Sequence, residues 1–152
     1  ITGMAIGMAA EGLKPVAEIQ FSGFAYICID QILNHAGRMR HRTQGRMACP
    51  LVLRTPCGAG IHPPEHHSES PEAIFAHVPG LRVVVASSPA QAYGLLLAAI
   101  RDPDPVLFLE HRELLRAVSR RVDLPASGLR WYAAIRPRGQ GRMLIQVNRA
   151  RG

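Results

Sequence analysis

A strand, a helix and a second strand follow one another between residues 81 and 110, and this unit constrains the fold more than any other feature. The runs LRVVVA and PVLFLE at its two ends are apolar and rich in aliphatic residues, as buried strands are. Between them, Ser88 is a predicted helix N-cap and Pro89 a predicted first helical residue. Continuous apolar strands joined through helices suit a parallel sheet with helices on both faces, so an α/β fold is predicted.

The same alternation extends towards the N-terminus. Small and apolar residues predict a helix over 1–10, and the segments VAEIQF and PLVLRTP predict two further strands. A second helix is predicted over 24–43, with an apolar stripe formed by Ala25, Cys28, Ile29, Ile32 and Leu33. The segment SPEAIFAH predicts a third helix, with Ser70 as its N-cap and Pro71 as its first residue.

The first predicted helix carries small residues at alternate positions, namely Gly3, Ala5, Gly7 and Ala9. Small side chains allow a second helix to approach closely, which favours helix-on-helix assembly. The same residues also serve ordinary core packing. Both interpretations stay open at the level of sequence.

The excess positive charge lies at one end of the chain, whose 152 residues carry a formal net charge of +7. Residues 1–119 hold ten basic and ten acidic side chains, whereas residues 120–152 hold eight arginines against Asp123 alone. Binding to nucleic acid requires a basic face on the folded part, so no nucleic-acid partner is expected.

Neither a membrane span nor a disulfide framework is expected. The longest apolar runs fall well short of the roughly 20 residues that a spanning helix needs, and the first residues lack the pattern of an export signal. Cys28, Cys49 and Cys57 are odd in number and lack C-x-x-C spacing, which argues against disulfides and a zinc knuckle. Free, buried thiols in a reducing compartment are expected.

The chain divides into residues 1–117, predicted to form one domain, and an arginine-rich tail over residues 118–152. One strand is predicted in the tail, at 143–147, without an evident partner. Translation of a GC-rich gene in the wrong frame produces such a sudden onset of arginine. The tail is therefore expected to be frame-shifted or disordered and without function, and Ile1 is expected to lie inside a longer protein.

Histidines crowd the loop that follows PLVLRTP. His62, Glu65 and His66 match the H-x-x-E-H signature of one class of zinc peptidases, in which Glu65 would be the base. Pro63 and Pro64 break the helix on which both histidines would need to lie, so a zinc site is disfavoured. Two interpretations remain: a solvated connection, or a histidine that exchanges protons at the sheet edge where ligands of parallel α/β folds bind.

Five segments together carry a family resemblance: IGMAAEGLKPVAEIQF, DQILNHAGRMRHRTQG, LVLRTPCGAGI, HSESPEAIFAHVPGLRVVV and GLLLAAIRDPDPVLFLE. They resemble the beta subunit of the thiamin-diphosphate-dependent 2-oxoacid dehydrogenases, of the branched-chain (2-oxoisovalerate) type and its bacterial pyruvate relatives. The similarity runs from Ile1 to about Ala117. It implies an incomplete pyrimidine-binding domain that holds the aminopyrimidine half of thiamin diphosphate, while the alpha subunit holds the diphosphate through magnesium.

The resemblance also implies an activity and partners. In that family a heterotetramer of alpha and beta subunits oxidatively decarboxylates a 2-oxoacid and passes the acyl group to the lipoyl arm of an acyltransferase core. An oxidoreductase of pyruvate or branched-chain amino acid metabolism is thus implied. Its place would be the bacterial cytoplasm or the mitochondrial matrix.

Individual residues correspond to family positions. Phe24 matches the aromatic ring that packs on the aminopyrimidine. His67 matches the histidine that faces the substrate and assists acyl transfer, a role that suits a loop imidazole. Asp102, Asp104 and the carbonyl of Ala99 match a loop that binds a structural potassium ion, and oxygen ligands suit such a hard cation.

The chain departs from the family pattern in three respects. The glutamate that protonates the aminopyrimidine ring falls three residues before Ile1, outside this sequence. Residues 62–65 replace a glycine-rich stretch, and His66 and Glu69 replace the usual tyrosine and glutamine. The family's C-terminal domain does not follow. The chain alone is therefore expected to be inactive, and the alternative is a non-catalytic module that keeps the fold and pairs with an alpha subunit or with itself.

Overall fold

Four parallel strands form the central sheet, in the order β1-β2-β4-β3. The computed structural model describes residues 1–58 and 65–111, and the backbone of two further strands at 130–138 and 142–150. The sheet strands are β1 (Val16–Glu18), β2 (Val52–Cys57), β3 (Arg82–Ala86) and β4 (Val106–His111). All three neighbouring pairs are parallel, which confirms the predicted α/β fold.

Helices lie on both faces of this sheet. They are α1 (Thr2–Ala10), a 3₁₀-helix (Ser22–Cys28), a π-helix (Gln31–Ala36), α2 (Met39–Arg42), α3 (Glu72–Ala76) and α4 (Pro89–Arg101). None of the helices in the described ranges is long and apolar enough to cross a membrane.

The single helix predicted over 24–43 is wrong, because three short helices of different pitch occupy that stretch. In the π-helix each backbone bond skips one residue more than in an α-helix, as in the 2.9 Å bond from the Gly37 N–H to the Ile32 carbonyl. The change of pitch rotates the predicted stripe. Ala25 and Ile32 are fully buried, whereas 37% of Ile29 is exposed.

The two faces of the sheet carry separate apolar cores, because alternate residues of a strand point to opposite sides. One core lies under α1, the π-helix and α3 and contains the leucines Leu51, Leu53, Leu107 and Leu109. The other lies under α4 and contains Val52, Val84, Leu95, Ala99, Val106 and Phe108. Burial on both faces explains why β2, β3 and β4 are continuously apolar in sequence.

One predicted helix start is confirmed and one is wrong. The Ser88 side chain accepts a hydrogen bond from the Gln91 N–H at 3.2 Å, with Pro89 in the first turn, as predicted. At α3 the cap is Pro71 rather than Ser70, and no side chain caps the helix. The Pro71 carbonyl accepts the first helical bond, from Phe75, so the helix begins one residue later than predicted.

Some small residues of α1 serve core packing, and others remain exposed for possible helix-on-helix assembly. Ala5 and Ala9 are buried in the core, whereas Gly3 and Gly7 are exposed. Gly3 and Gly7 line a groove of about 500 Å³ between α1 and the segment that holds the π-helix and α2. Core packing therefore explains the two alanines, and the two glycines stay available for contact with another helix.

The predicted tail strand at 143–147 lies within β6 (Arg142–Ala150), which pairs with β5 (Arg130–Arg138) in an antiparallel hairpin. The sequence pattern did not reveal that partner. The remainder of residues 118–152 lies outside the described residues, and the expectation of a frame-shifted or disordered tail stays a prediction.

The two Ser-Pro helix starts allow a matched test of capping. Replacing Ser88 with alanine removes the acceptor for the Gln91 N–H and is expected to lower the free energy of unfolding by about 1 kcal/mol. Replacing exposed Ser70 with alanine removes no capping bond and is expected to change it by less than about 0.5 kcal/mol. Urea unfolding of both variants measures the difference, and equal losses would contradict the capping assignment.

Candidate functional site

Aromatic and imidazole side chains meet at the carboxyl edge of the sheet. Phe21 and Phe24 follow β1, His67 follows β2, and His111 ends β4. Because the three strands are parallel, their carboxyl ends lie at one edge, the position where parallel α/β folds bind ligands. The sheet thus brings together residues far apart in sequence.

Phe24 and His67, the two predicted site residues of this edge, are in contact. Their ring centroids are 5.8 Å apart in an edge-to-face arrangement. Phe21 completes the cluster, with its centroid 4.1 Å from that of His67 and 5.8 Å from that of Phe24. Phe24 remains 36% exposed, so part of its ring is open to a ligand. Phe21 was not among the predicted site residues, although its position at the end of a predicted strand could have indicated that it lies at the ligand-binding edge of the sheet.

The tautomer of His67 follows from a single contact. Its Nδ1 lies 2.8 Å from the carbonyl oxygen of Glu65. A carbonyl oxygen can only accept, so Nδ1 carries the hydrogen and donates it. In the neutral imidazole, Nε2 then holds a free lone pair and is the atom that can accept a proton.

Three hydrogen bonds converge on Glu69 and fix the loop behind His67. Its carbonyl accepts from the Ser22 hydroxyl and from the Gly58 N–H, both at 3.0 Å. Its carboxylate accepts from the Tyr26 hydroxyl at 3.2 Å. Burial, followed by the Glu69 charge, raises the pKa of Tyr26, so the phenol stays a donor. The loop is thereby tied to the 3₁₀-helix that carries Phe24.

Glycine is required where the 3₁₀-helix approaches the histidine loop. A Cβ at Gly23 would lie 2.5 Å from the carbonyl oxygen of His66, far inside van der Waals contact. At the end of β2, Gly58 has φ +92°, and a Cβ there would lie 2.9 Å from Nε2 of His111. These two glycines let the loop and the strand ends pack closely around the aromatic cluster.

The thiols nearest the sheet are structural. Burial, followed by the charges of Glu72 and Glu110, raises the pKa of Cys57 to about 12. Burial, followed by Asp104, raises the pKa of Cys49 to about 11. Both cysteines are buried and unpaired, as predicted, whereas Cys28 is only partly buried. A thiol held in its protonated form does not serve as a nucleophile at neutral pH.

The residues predicted to bind potassium lie at the opposite, amino edge of the sheet. Asp102 is the C-cap of α4, and Asp104 lies just before β4 begins. Both carboxylates form ion pairs with arginine side chains, which compete with the predicted potassium ion. A cavity of about 870 Å³ at that edge is lined in part by Arg40, Cys49 and Asp104, and lies away from the Phe24–His67 cluster.

Within residues 1–58 and 65–111, no group of three or more histidine, cysteine or carboxylate side chains is arranged to hold a metal ion. His62, one of the three residues of the zinc-peptidase signature, lies outside those ranges. His66, another of the three, has φ +68° and lies beside Phe24, with ring centroids 6.3 Å apart.

Sequence comparisons with known proteins match this chain to one family. The family model described as transketolase, pyrimidine binding domain matches residues 1–118. The pyruvate dehydrogenase E1 component subunit beta of Acholeplasma laidlawii is 53% identical over 122 residues, which are 80% of this chain and 37% of that protein. The 2-oxoisovalerate dehydrogenase subunit beta of Bacillus subtilis (strain 168) is 46% identical over 122 residues, which are again 80% of this chain and 37% of that protein.

A solved structure described as a split gene transketolase, an inactive beta4 tetramer, has the same fold. It aligns with a TM-score of 0.56 at 20% identity, over 70% of this chain and 32% of its own. This chain therefore spans little more than a third of the length of the curated relatives above.

The hydrogen bond from His67 to Glu65 predicts a specific NMR signature. In its neutral form, His67 is expected to show the Nδ1-protonated tautomer in long-range ¹H–¹⁵N spectra, since Nδ1–H donates to the Glu65 carbonyl. Exposed His77 serves as the reference in the same spectrum. A protonated Nε2 on neutral His67 would contradict the arrangement.

The buried thiols predict a loss of stability at alkaline pH. Their pKa values in the folded chain, about 11 for Cys49 and about 12 for Cys57, exceed the ordinary 9.0, so the unfolded chain releases these protons first. Their stabilising contribution is full below pH 9 and declines as the pH rises from 9 towards 11. The free energy of unfolding, measured across this range, is expected to fall less steeply for Cys57→Ala than for the wild type. Equal slopes would contradict the assignment to Cys57.

Proposed function

Because the chain belongs to the family of transketolase pyrimidine-binding domains, we propose that it forms part of the beta subunit of a 2-oxoacid dehydrogenase and holds the aminopyrimidine half of thiamin diphosphate. The observation that supports this most directly is that the ring of Phe24 contacts His67 at the carboxyl edge and is partly exposed. The complete beta subunit would use the site for oxidative decarboxylation of a 2-oxoacid such as pyruvate or a branched-chain 2-oxoacid.

The aromatic cluster fits a flat heteroaromatic ring. The Phe24 ring is held by edge contacts to Phe21 and His67, which leave part of its surface exposed. Stacking on that surface is worth about 1 kcal/mol beyond burial. Thiamin diphosphate, when bound, supplies the stabilisation of negative charge that a 2-oxoacid requires as it loses carbon dioxide.

His67 is the group on this chain that would exchange protons beside the reacting atoms. The Glu65 carbonyl fixes the orientation of the ring, and Phe21 covers one side of it. Nε2 is left to accept a proton. When one lipoyl sulfur takes the acyl group and the lipoyl disulfide bond breaks, Nε2 would return a proton to the other sulfur. Proton exchange by a positioned imidazole contributes rate factors of roughly 10² to 10⁴.

The remaining parts of the site would come from partners. An alpha subunit would hold the diphosphate half through magnesium, in a heterotetramer that delivers acyl groups to a lipoyl acyltransferase core. The exposed face of α1 supports assembly, because Ile1, Met4 and Met8 are apolar and accessible beside Gly3 and Gly7. The complex would work in the bacterial cytoplasm or in the mitochondrial matrix.

The same α1 face also favours a second candidate function, a non-catalytic module that binds an alpha subunit or a second copy of itself. The two functions differ in whether thiamin diphosphate is retained after assembly. Assembly with an alpha subunit but without retention of the cofactor would favour the module.

A matched pair of variants tests the proposed site. In the assembly of this chain with an alpha subunit, Phe24→Leu is expected to weaken thiamin diphosphate binding about 5-fold, since the lost stacking is about 1 kcal/mol. Tyr93→Leu removes another exposed aromatic ring, on α4, and is expected to leave binding unchanged. Isothermal titration with thiamin diphosphate and magnesium measures both. Equal affinities for Phe24→Leu and the wild type would contradict the site.

A further inference from the structure

Two carboxylates and two arginines form a closed ion cluster where α4 ends. Nη1 of Arg82 lies 2.5 Å from Oδ1 of Asp102 and 3.4 Å from Oδ2 of Asp104. Arg40 Nε lies 2.6 Å from the other oxygen of Asp104. The four formal charges cancel, so a further cation would have no uncompensated negative charge to neutralise.

The Ala99 carbonyl, Oδ1 of Asp102 and both carboxylate oxygens of Asp104, which belong to the group that the family resemblance assigns to potassium, already have partners. Oδ1 of Asp102 accepts from the Asp104 N–H at 2.9 Å as well as from Arg82. The Ala99 carbonyl accepts from the Asp102 N–H at 3.2 Å. Potassium, as a hard cation, needs several oxygen ligands at once, and it would compete with these hydrogen bonds and ion pairs for the same oxygens.

The space between these groups is small. A cavity lined by Arg82, Ala99 and Asp102, among others, has a volume of about 10 Å³. Such a volume is at the lower limit for a single water molecule. A potassium ion bound between Ala99 and Asp102 would therefore require the Arg82 side chain to move away.

We infer that the guanidinium of Arg82 takes the place of the structural potassium ion in this chain, so that the loop from Asp102 to Asp104 folds without potassium. Only 8% of the Asp102 side chain is exposed, and a carboxylate buried to that degree requires a cationic partner. Arg82 keeps 48% of its side chain exposed, so it meets this need while retaining much of its own hydration.

The backbone fixes Arg82 for this role. Arg82 is the first residue of β3 and is in register with Val106, the first residue of β4. Its N–H donates to the Pro105 carbonyl at 3.0 Å, which places the guanidinium next to the loop that enters β4. The ion cluster thus connects the start of β3, the end of α4 and, through Arg40, the helix α2.

Thermal unfolding of the 152-residue chain tests the inference without any cofactor, and so independently of the proposed function. Midpoints are compared in potassium, sodium and choline chloride, each at about 0.15 M. The wild type is expected to unfold at one midpoint in all three salts. Arg82→Met is expected to unfold about 4 °C lower in choline chloride, with part of the loss restored by potassium, since Asp102 then lacks its cation. Arg101→Met, which removes an exposed arginine at the end of α4, is the control and should show neither effect.

A wild-type midpoint that is higher in potassium than in both other salts would overturn the inference. An Arg82→Met midpoint equal to that of the wild type would overturn it as well. If Arg82→Met does not fold, the wild-type comparison among the three salts decides alone.

Discussion

The parallel pairing of β2 with β4 is the constraint on which the rest of the structure depends. The two strands lie more than 50 residues apart in sequence, yet they pair along their whole length, from Val52 with Val106 to Cys57 with His111. Their residues are buried on both sides of the sheet, which ties two apolar cores to one register. A shift of one residue would turn each leucine of one core towards the other face.

With this register, the aromatic and histidine side chains lie at one edge of the sheet and the ion pairs lie at the other. At the carboxyl edge, the strand ends bring Phe24 and His67 together, and the bonds to Glu69 hold the histidine loop in place. At the amino edge, Arg82 and the two aspartates join the start of β3 to the end of α4. The proposed ligand site and the ion pairs are thus separated by the length of the strands, and a change at one edge need not disturb the other.

The sequence predicts β2, β3, β4 and α4 well, because continuous apolar runs and the Ser88 cap are local signals of buried elements. It fails over 24–43, where tertiary packing imposes 3₁₀ and π turns that a 3.6-residue repeat cannot anticipate. In the proposed site, Phe24 and His67 are predicted through family resemblance. The hydrogen bond from Tyr26 to Glu69 is missed because it joins residues 43 positions apart, and no local pattern reveals such a contact. The ion pair of Asp102 is missed for the same reason, since Arg82 lies 20 positions away.

We propose that thiamin diphosphate places its aminopyrimidine ring on Phe24 beside His67. The most direct measurement is a nuclear Overhauser experiment on the assembly with an alpha subunit, in which only the phenylalanine and histidine side chains of this chain carry ¹³C. This placement predicts cross-peaks from the protons of the bound pyrimidine to the rings of Phe24 and His67. Bound cofactor with cross-peaks to neither ring would contradict it.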